Sequence, residues 1–455
     1  MISSKFKNRT DYFFALCGLG YFATLPISNT IALRNVLLTI VLIYFLWVYC
    51  RRLGVFRLTE LHFVPWVLIV WAIYLVAFPV FSVDSVTAWD SWWRDWGKGL
   101  MAIIAGAFLA SQFSKTPTGT LQVLSVTAFV PIFLYYAMFT WKAFLTGTVP
   151  FGYTGVEVTH GVLSYSAGQA ALLLSVSAVT SKGPRRVMAG LLLALTVLSM
   201  VLVRSRGGLL FSLIAIMVVF LATFRGASQD QKRRGLIAIS VLAGMGVALA
   251  SLAYHTDSRW QNLTSRLSAG MLGDALQVHC YGPSSIESEI EEKYGSSNQS
   301  ERIKNSLVND DGVRVLLFRT GLKLLEMHPW GLDGSRSAFQ QRILDVCPDP
   351  VGIIANAHNG WLDTALAIGV PGAVLYFLVF IYFIRIGQRV VNPDSPAFPW
   401  ALILIAASVF WMLRALVDSC FRDHMLEMQG FLLSYAAVAV CQYRENAHIN
   451  EKSFS

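Results

Sequence analysis

Charge is what this sequence lacks. Only 14% of its 455 residues are Asp, Glu, Lys or Arg, 55% are hydrophobic, and the mean hydropathy is +0.55. A soluble domain is closer to a quarter charged, so a core built from this mixture could not cover itself with polar groups. A soluble enzyme, a disordered chain and a disulfide-stapled secreted module are excluded. Cysteine is scarce too: six residues, none paired as C-x-x-C and none at metal-ligand spacing. There is no Walker loop, no H-E-x-x-H or D-x-D pair and no G-x-S-x-G elbow, which argues against nucleotide-driven, metal-dependent and acyl-hydrolase chemistry. No internal repeat of solenoid period or inverted-repeat signature stands out.

What is present is a series of about twelve apolar windows long enough for transmembrane helices of roughly 20 residues. They lie near 12–29, 33–50, 62–81, 98–114, 120–141, 161–180, 187–203, 207–224, 236–254, 360–384, 398–417 and 425–442. The first follows Lys5, Lys7 and Arg9 without a small-residue cleavage site, and so reads as a retained helix. The expected class is an all-α polytopic membrane protein. Its parts are helices 1–9 over residues 1–254, one large, mainly helical outer loop over 255–359, and helices 10–12 with a short tail over 360–455. Net charge is +9, from 36 Lys and Arg against 27 Asp and Glu. In a membrane protein this reflects basic inner loops before it suggests nucleic acid. With the N-terminus cytoplasmic, half of the 36 basic residues fall in inner loops, eight at short outer loops and ten in the long loop, which escapes the positive-inside rule. An even number of spans then puts both termini inside.

The long loop opens on an amphipathic stretch, with Trp260, Leu263, Leu267 and Met271 on one face and Arg259 and Arg266 on another. The Ser- and Glu-rich run near 283–306 reads as a flexible insert. A second helix is expected over 312–327, stopped by His328-Pro329, and a third over 335–345. Cys280 and Cys347 form a disulfide if the outside is a bacterial periplasm; two unrelated thiols are the other reading.

The few charges touching the spans gather at their outer ends: Asp90, Arg94, Asp95 and Lys98; Arg204 and Arg206; Asp363; Arg414, Asp418, Arg422, Asp423 and Glu427. For any one residue, interfacial snorkelling is the ordinary explanation. Arg204 and Arg206 resist it. They occupy a very short break between two apolar helices and are followed by Gly207-Gly208. Guanidinium forks suit phosphate, and glycine permits close approach. The dry midplane argues against a coupled transporter. Where the loop re-enters the membrane, Asn356 or Asn359 is placed to cap the tenth span. His358 beside that helix N-terminus is favoured in its neutral form, as a general base or as a capping and packing residue. An outer-face enzyme without metal or nucleotide needs a donor that arrives activated. A lipid-linked diphosphate sugar meets that need, with arginines as charge stabilisers of the leaving group.

Three segments together resemble the O-antigen ligase and polymerase superfamily of bacterial envelope enzymes. They are Arg204-Ser205-Arg206-Gly207-Gly208; the run from Arg314 through Phe318 and Leu322 to His328-Pro329-Trp330-Gly331-Leu332-Asp333-Gly334; and His358-Asn359 with Leu362, followed by Ile368-Gly369-Val370-Pro371-Gly372. The resemblance implies a GT-C-like glycosyltransferase of the inner membrane with a periplasmic active site. It would transfer O-antigen from undecaprenyl diphosphate to a sugar of lipid A–core, with inversion and without metal or other cofactor. Arg206 and Arg314 would hold the diphosphate, with Arg266 and Arg204 as further candidates, and His358 would activate the acceptor hydroxyl. Asn359, Asp363 and His328 are candidate supporting residues, His328 chiefly as part of a loop-shaping turn. Ala367-Ile368 stand where many relatives carry an acid, one turn after Asp363. A polymerase, a protein O-oligosaccharyltransferase and, from another class, a lipid-linked oligosaccharide transporter are the alternatives. The single large outer loop and the short C-terminal tail favour the ligase.

Overall fold

A computed structural model describes residues 9–51, 66–82, 84–113, 117–154, 160–224, 263–295, 298–309, 311–347, 349–351 and 356–453, with isolated positions between 229 and 255. Among the described residues all regular structure is helical. The first group comprises α1 (Arg9–Thr24), α2 (Ile31–Arg51), α3 (Trp66–Phe81), α4 (Ser85–Ser91), a π-helical turn (Trp92–Gly97), α5 (Lys98–Phe113), α6 (Pro117–Thr146), α7 (His160–Thr180), α8 (Pro184–Leu202) and α9 (Arg206–Thr223). Six shorter helices follow: α10 (Leu263–Ala269), α11 (Ala275–Tyr281), α12 (Glu287–Tyr294), α13 (Asn298–Asn309), α14 (Asp311–Met327) and α15 (Ala338–Val346). The last group is α16 (Gly360–Val390), α17 (Phe398–Arg414) and α18 (Asp423–Ser453).

Among the described residues seven helices are long and apolar enough to cross a membrane, and Trp66–Phe81 and Phe398–Arg414 are apolar but shorter. The chain is therefore a polytopic membrane protein. The expected ninth span, 236–254, and Arg259 and Trp260 of the amphipathic stretch lie outside the described residues, isolated positions aside. Small residues let the helices meet closely, as packing in lipid requires. A Cβ on Gly106 of α5 would stand 2.2 Å from the Phe431 carbonyl oxygen of α18, and one on Gly168 of α7 would stand 2.3 Å from the Phe410 ring of α17.

The first five of these shorter helices and their connections build a core of their own from Ala269, Leu272, Val278, Ile290, Ile303 and Leu316, whereas Ala338, Phe339 and Ile343 of α15 join the main core. The run 283–306, expected as a flexible insert, is largely helical. Ile286, Ile290 and Ile303 supply apolar positions that the polar composition hid, and all three are buried. Arg319 ties this unit together by donating to the carbonyls of Gly270 (3.0 Å), Leu272 (3.1 Å) and Gly273 (2.8 Å). Cys280 and Cys347 are joined as a disulfide across 67 residues, with a Cα–Cα distance of 5.7 Å. Cys280→Ser is expected to lower the stability of this unit by about 2–5 kcal/mol, read as faster amide exchange over 275–347 in the purified protein.

α16 is broken at Gly369, whose φ of 81° and ψ of 161° are open only to glycine. The turn after α14 plugs the break. Leu332 and Gly334 donate their N–H groups to the Ala367 carbonyl at 3.1 and 3.0 Å, and Val370 N–H donates to the Pro329 carbonyl at 2.9 Å. Each of these backbone groups, left idle by the break, thus finds a partner. Trp96 Nε1 donates to the Gly334 carbonyl at 2.8 Å and Tyr74 donates to that of Ile368 at 2.6 Å. Gly369→Ala adds a Cβ at 2.8 Å from the Trp330 carbonyl oxygen. It is expected to cost on the order of 3 kcal/mol and to lower the thermal midpoint of the purified protein.

Candidate active site

Arg206 opens α9 and Asp311 opens α14, and the two meet in a two-pronged ion pair. Arg206 Nη1 donates to Asp311 Oδ2 at 3.0 Å and Nη2 to Oδ1 at 2.8 Å. Arg206 is available in this position because Ser205 caps α9, its side chain accepting from Gly208 N–H at 3.3 Å. The loop glycines bring the rest of the cluster in. A Cβ on Gly312 would lie 2.9 Å from the Arg266 carbonyl oxygen, and one on Gly270 would lie 2.4 Å from that of Gly312. α10 and α14 therefore cross in contact, with the Arg266 backbone against the residue that follows Asp311. Arg314, one turn further along α14, is exposed. Arg204 turns elsewhere: its backbone is left-handed (φ 57°) and its guanidinium lies over the Phe151 ring at 5.7 Å.

The histidine side is built by the loop entering α16. Asn359 is the helix cap: its Oδ1 accepts from Leu362 N–H at 3.0 Å, and its Nδ2 donates to the Leu416 carbonyl at 2.9 Å. His358, one residue earlier, has a left-handed backbone (φ 51°). Its Nδ1 is buried and finds no hydrogen-bond partner among the described residues. Burial pushes the imidazole below its ordinary pKa, the charge of Arg314 pushes it further, Asp418 opposes the shift, and Arg422 adds to it. The ring is thus held in the neutral form that accepts a proton. Non-glycine residues with positive φ are uncommon; three of the four described here, Arg204, His358 and Asp423, flank this region.

Arg414 at the end of α17 links the two sides. It is buried, donates to Ser164 Oγ at 2.9 Å and to Asp418 Oδ2 at 3.0 Å, and stacks over the Tyr165 ring at 4.7 Å. Its Nη1 would sit 2.1 Å from a Cβ on Gly207. Gly207, read from sequence as a phosphate-approach residue, is therefore glycine because Arg414 fills that space. Asp363 accepts from Ala357 N–H at 2.8 Å. With Ser419, Arg422, Asp95 and Arg336 it lines a small cavity beneath the histidine turn. Burial raises Asp95 to about 6, and the nearby Asp423 charge adds to the shift.

The structure thus brings Arg206 to the start of α14, which carries Arg314 and crosses the helix bearing Arg266, and places His358, Asn359 and Asp363 together at the start of α16. Arg204 and His328 stand apart. His328 follows the far end of α14, roughly 20 Å from Arg314 at 1.5 Å per helical residue, in the turn that plugs Gly369. Sequence reasoning missed Asp311 and the tie from Arg414 to Asp418. The i,i+4 spacing of the latter pair was a usable signal. Among the described residues no three or more His, Cys, Asp or Glu gather as a metal-holding group.

Fold and site together define an integral membrane protein that carries arginines and a neutral histidine where the unit of shorter helices meets the ends of the long ones. A family model described as O-antigen ligase matches residues 191–377, from within α8 to the middle of α16. Over these residues the chain is similar to the O-antigen ligase family. No curated protein matches the chain.

Proposed function

We propose that this protein is the ligase of its superfamily. It moves O-antigen from undecaprenyl diphosphate to a sugar of lipid A–core at the periplasmic face of the inner membrane, with inversion and without metal. The observation that carries the reading is the arginine fork of Arg206, already closed on a carboxylate of the same loop helix whose Arg314 adds to burial in holding His358 neutral. A carboxylate in a guanidinium fork stands in for phosphate geometry. The donor diphosphate exchanges with Asp311 and takes Arg206, with Arg314 and Arg266 as further ligands. His358 removes the acceptor hydroxyl proton. The oxygen attacks the anomeric carbon as its bond to the diphosphate breaks, and undecaprenyl diphosphate leaves with the electron pair, its charge held by the arginines. Arg204, turned over Phe151, is left at the rim of this site.

The disulfide supports an oxidising compartment for the 263–347 unit, in keeping with a periplasmic site and cytoplasmic termini. The experiment compares lipopolysaccharide banding in a deletion strain with and without this gene. Loss of the ladder with accumulation of lipid-linked polymer is expected. A remaining single-unit band with loss of long chains would make the protein a polymerase, and transport without a new glycosidic bond would make it a carrier. Full activity in excess chelator is expected; its abolition would remove the metal-independent mechanism.

A further inference from the structure

The His358 backbone is left-handed, a conformation that a non-glycine residue keeps only where its surroundings impose it, at a cost of about 1–3 kcal/mol. The surroundings here are specific. His358 N–H donates to Asn356 Oδ1 at 3.1 Å. Ala357 N–H donates to Asp363 Oδ1 at 2.8 Å. Gly360 N–H donates to the Ala415 carbonyl at 2.7 Å. Between Asn356 and Asp363 sits the hydroxyl of Ser419, from the α17–α18 connection, 2.9 Å from Asn356 Oδ1 and hydrogen-bonded to Asp363 Oδ2. One side chain therefore joins both groups that hold the peptide N–H groups of residues 357 and 358. Ser419 is buried and lies beyond the family-matched region, which ends at residue 377.

We infer that Ser419 is a positioning residue for His358: with Asn356 and Asp363 it forms a clasp that fixes the histidine turn against the α17–α18 connection. The inference rests on the reading of His358 as the base. It also sets the hydrogen count of the clasp. Ser419 has one hydroxyl hydrogen but meets two oxygens. Asn356 Oδ1 is fixed as an acceptor by His358 N–H, and Asp363 Oδ1 is fixed as one by Ala357 N–H. Both Ser419 contacts are complete when Oδ2 of Asp363 carries a hydrogen and donates it to Ser419 Oγ, which then donates to Asn356. Arg422 and Asp418 are the charged side chains acting on Asp363, with opposite signs, and Asp95 shares its cavity. An amide at position 363 reproduces this pattern, its nitrogen donating to Ser419 and its oxygen accepting from Ala357.

The test uses the full-length protein in lipid nanodiscs, with undecaprenyl-diphosphate glycan as donor and lipid A–core as acceptor. Ser419→Ala is expected to lower kcat on the order of 10- to 100-fold with the donor KM within about twofold, since a misplaced base loses rate rather than donor affinity. Ser419→Thr restores most of the rate, and Asp363→Asn restores most of what Asp363→Leu loses. Unchanged kcat in Ser419→Ala overturns the positioning role, and equal losses in Asp363→Asn and Asp363→Leu overturn the hydrogen count. Amide exchange at Ala357 and His358 gives a readout that needs no turnover. A rise of about tenfold or more in Ser419→Ala, confined to the 356–360 turn, supports the clasp; unchanged exchange overturns it. Wild-type protein that transfers no glycan would remove the functional reading, while the exchange result would still decide the clasp.

Discussion

His358→Ala leaves an inserted, folded protein whose glycan transfer falls by about 10²- to 10⁴-fold, the span of a lost general base. The side chain is half-buried and its Nδ1 has no partner among the described residues, so truncation removes little packing and breaks no hydrogen bond of that nitrogen. The backbone contacts of the turn come from Asn356 and Asn359 rather than from the imidazole. Transfer in wild-type membranes should also lose rate on acidification with a midpoint below 6.5, because burial and Arg314 hold the ring's pKa beneath that ordinary value. The sign follows from the role: the base works only when neutral, so activity is full above the folded-state pKa and disappears as pH falls through it. A midpoint above 6.5, or full activity in the alanine variant, would remove the base assignment.

Arg206→Lys is expected to lower kcat/KM about 10²-fold, although the charge is kept. Both prongs of the guanidinium are in use against Asp311, and a single ammonium reproduces neither the fork nor its spacing. The partner change runs the other way. Asp311→Asn removes the anion that competes with the donor, and should lower the donor KM about three- to tenfold, as expected for a partly buried ion pair of modest strength. Binding of radiolabelled lipid diphosphate to the two variants separates the effects. Weaker binding in Asp311→Asn would show that the carboxylate orders the arginine more than it occludes it.

Much of this was legible because the scarcity of charge makes each placement informative. The apolar windows foretold the long helices, since a membrane leaves few other ways to satisfy a backbone. The outer arginines and the capped histidine were readable from local context alone. What was not readable depends on distance along the chain. Asp311 meets Arg206 across 105 residues and Ser419 meets Asn356 across 63, and no periodicity records such meetings. The 283–306 run failed for another reason: its apolar anchors Ile286, Ile290 and Ile303 are diluted by serine and glutamate, and only the partner helices of the loop reveal the face they share. The turn after His328 was read chiefly as shaping the loop; what the sequence did not show is that its backbone serves the break in α16.

That break has a consequence for the order in which the molecule is made. The receptor for the 328–334 turn is the exposed backbone of Ala367 to Val370, which exists only once α16 has entered the membrane and bent. The arginine half of the site, carried by α9 and α14, leaves the ribosome earlier than its histidine partner on the approach to α16. During synthesis the anion-binding groups therefore wait without a base. Completion of α16 then does two things at one stroke: it delivers His358 and docks the loop that faces it. A chain stalled before that point carries the arginines of α9 and α14 without His358, so the two halves of the candidate site come together only when α16 is in place.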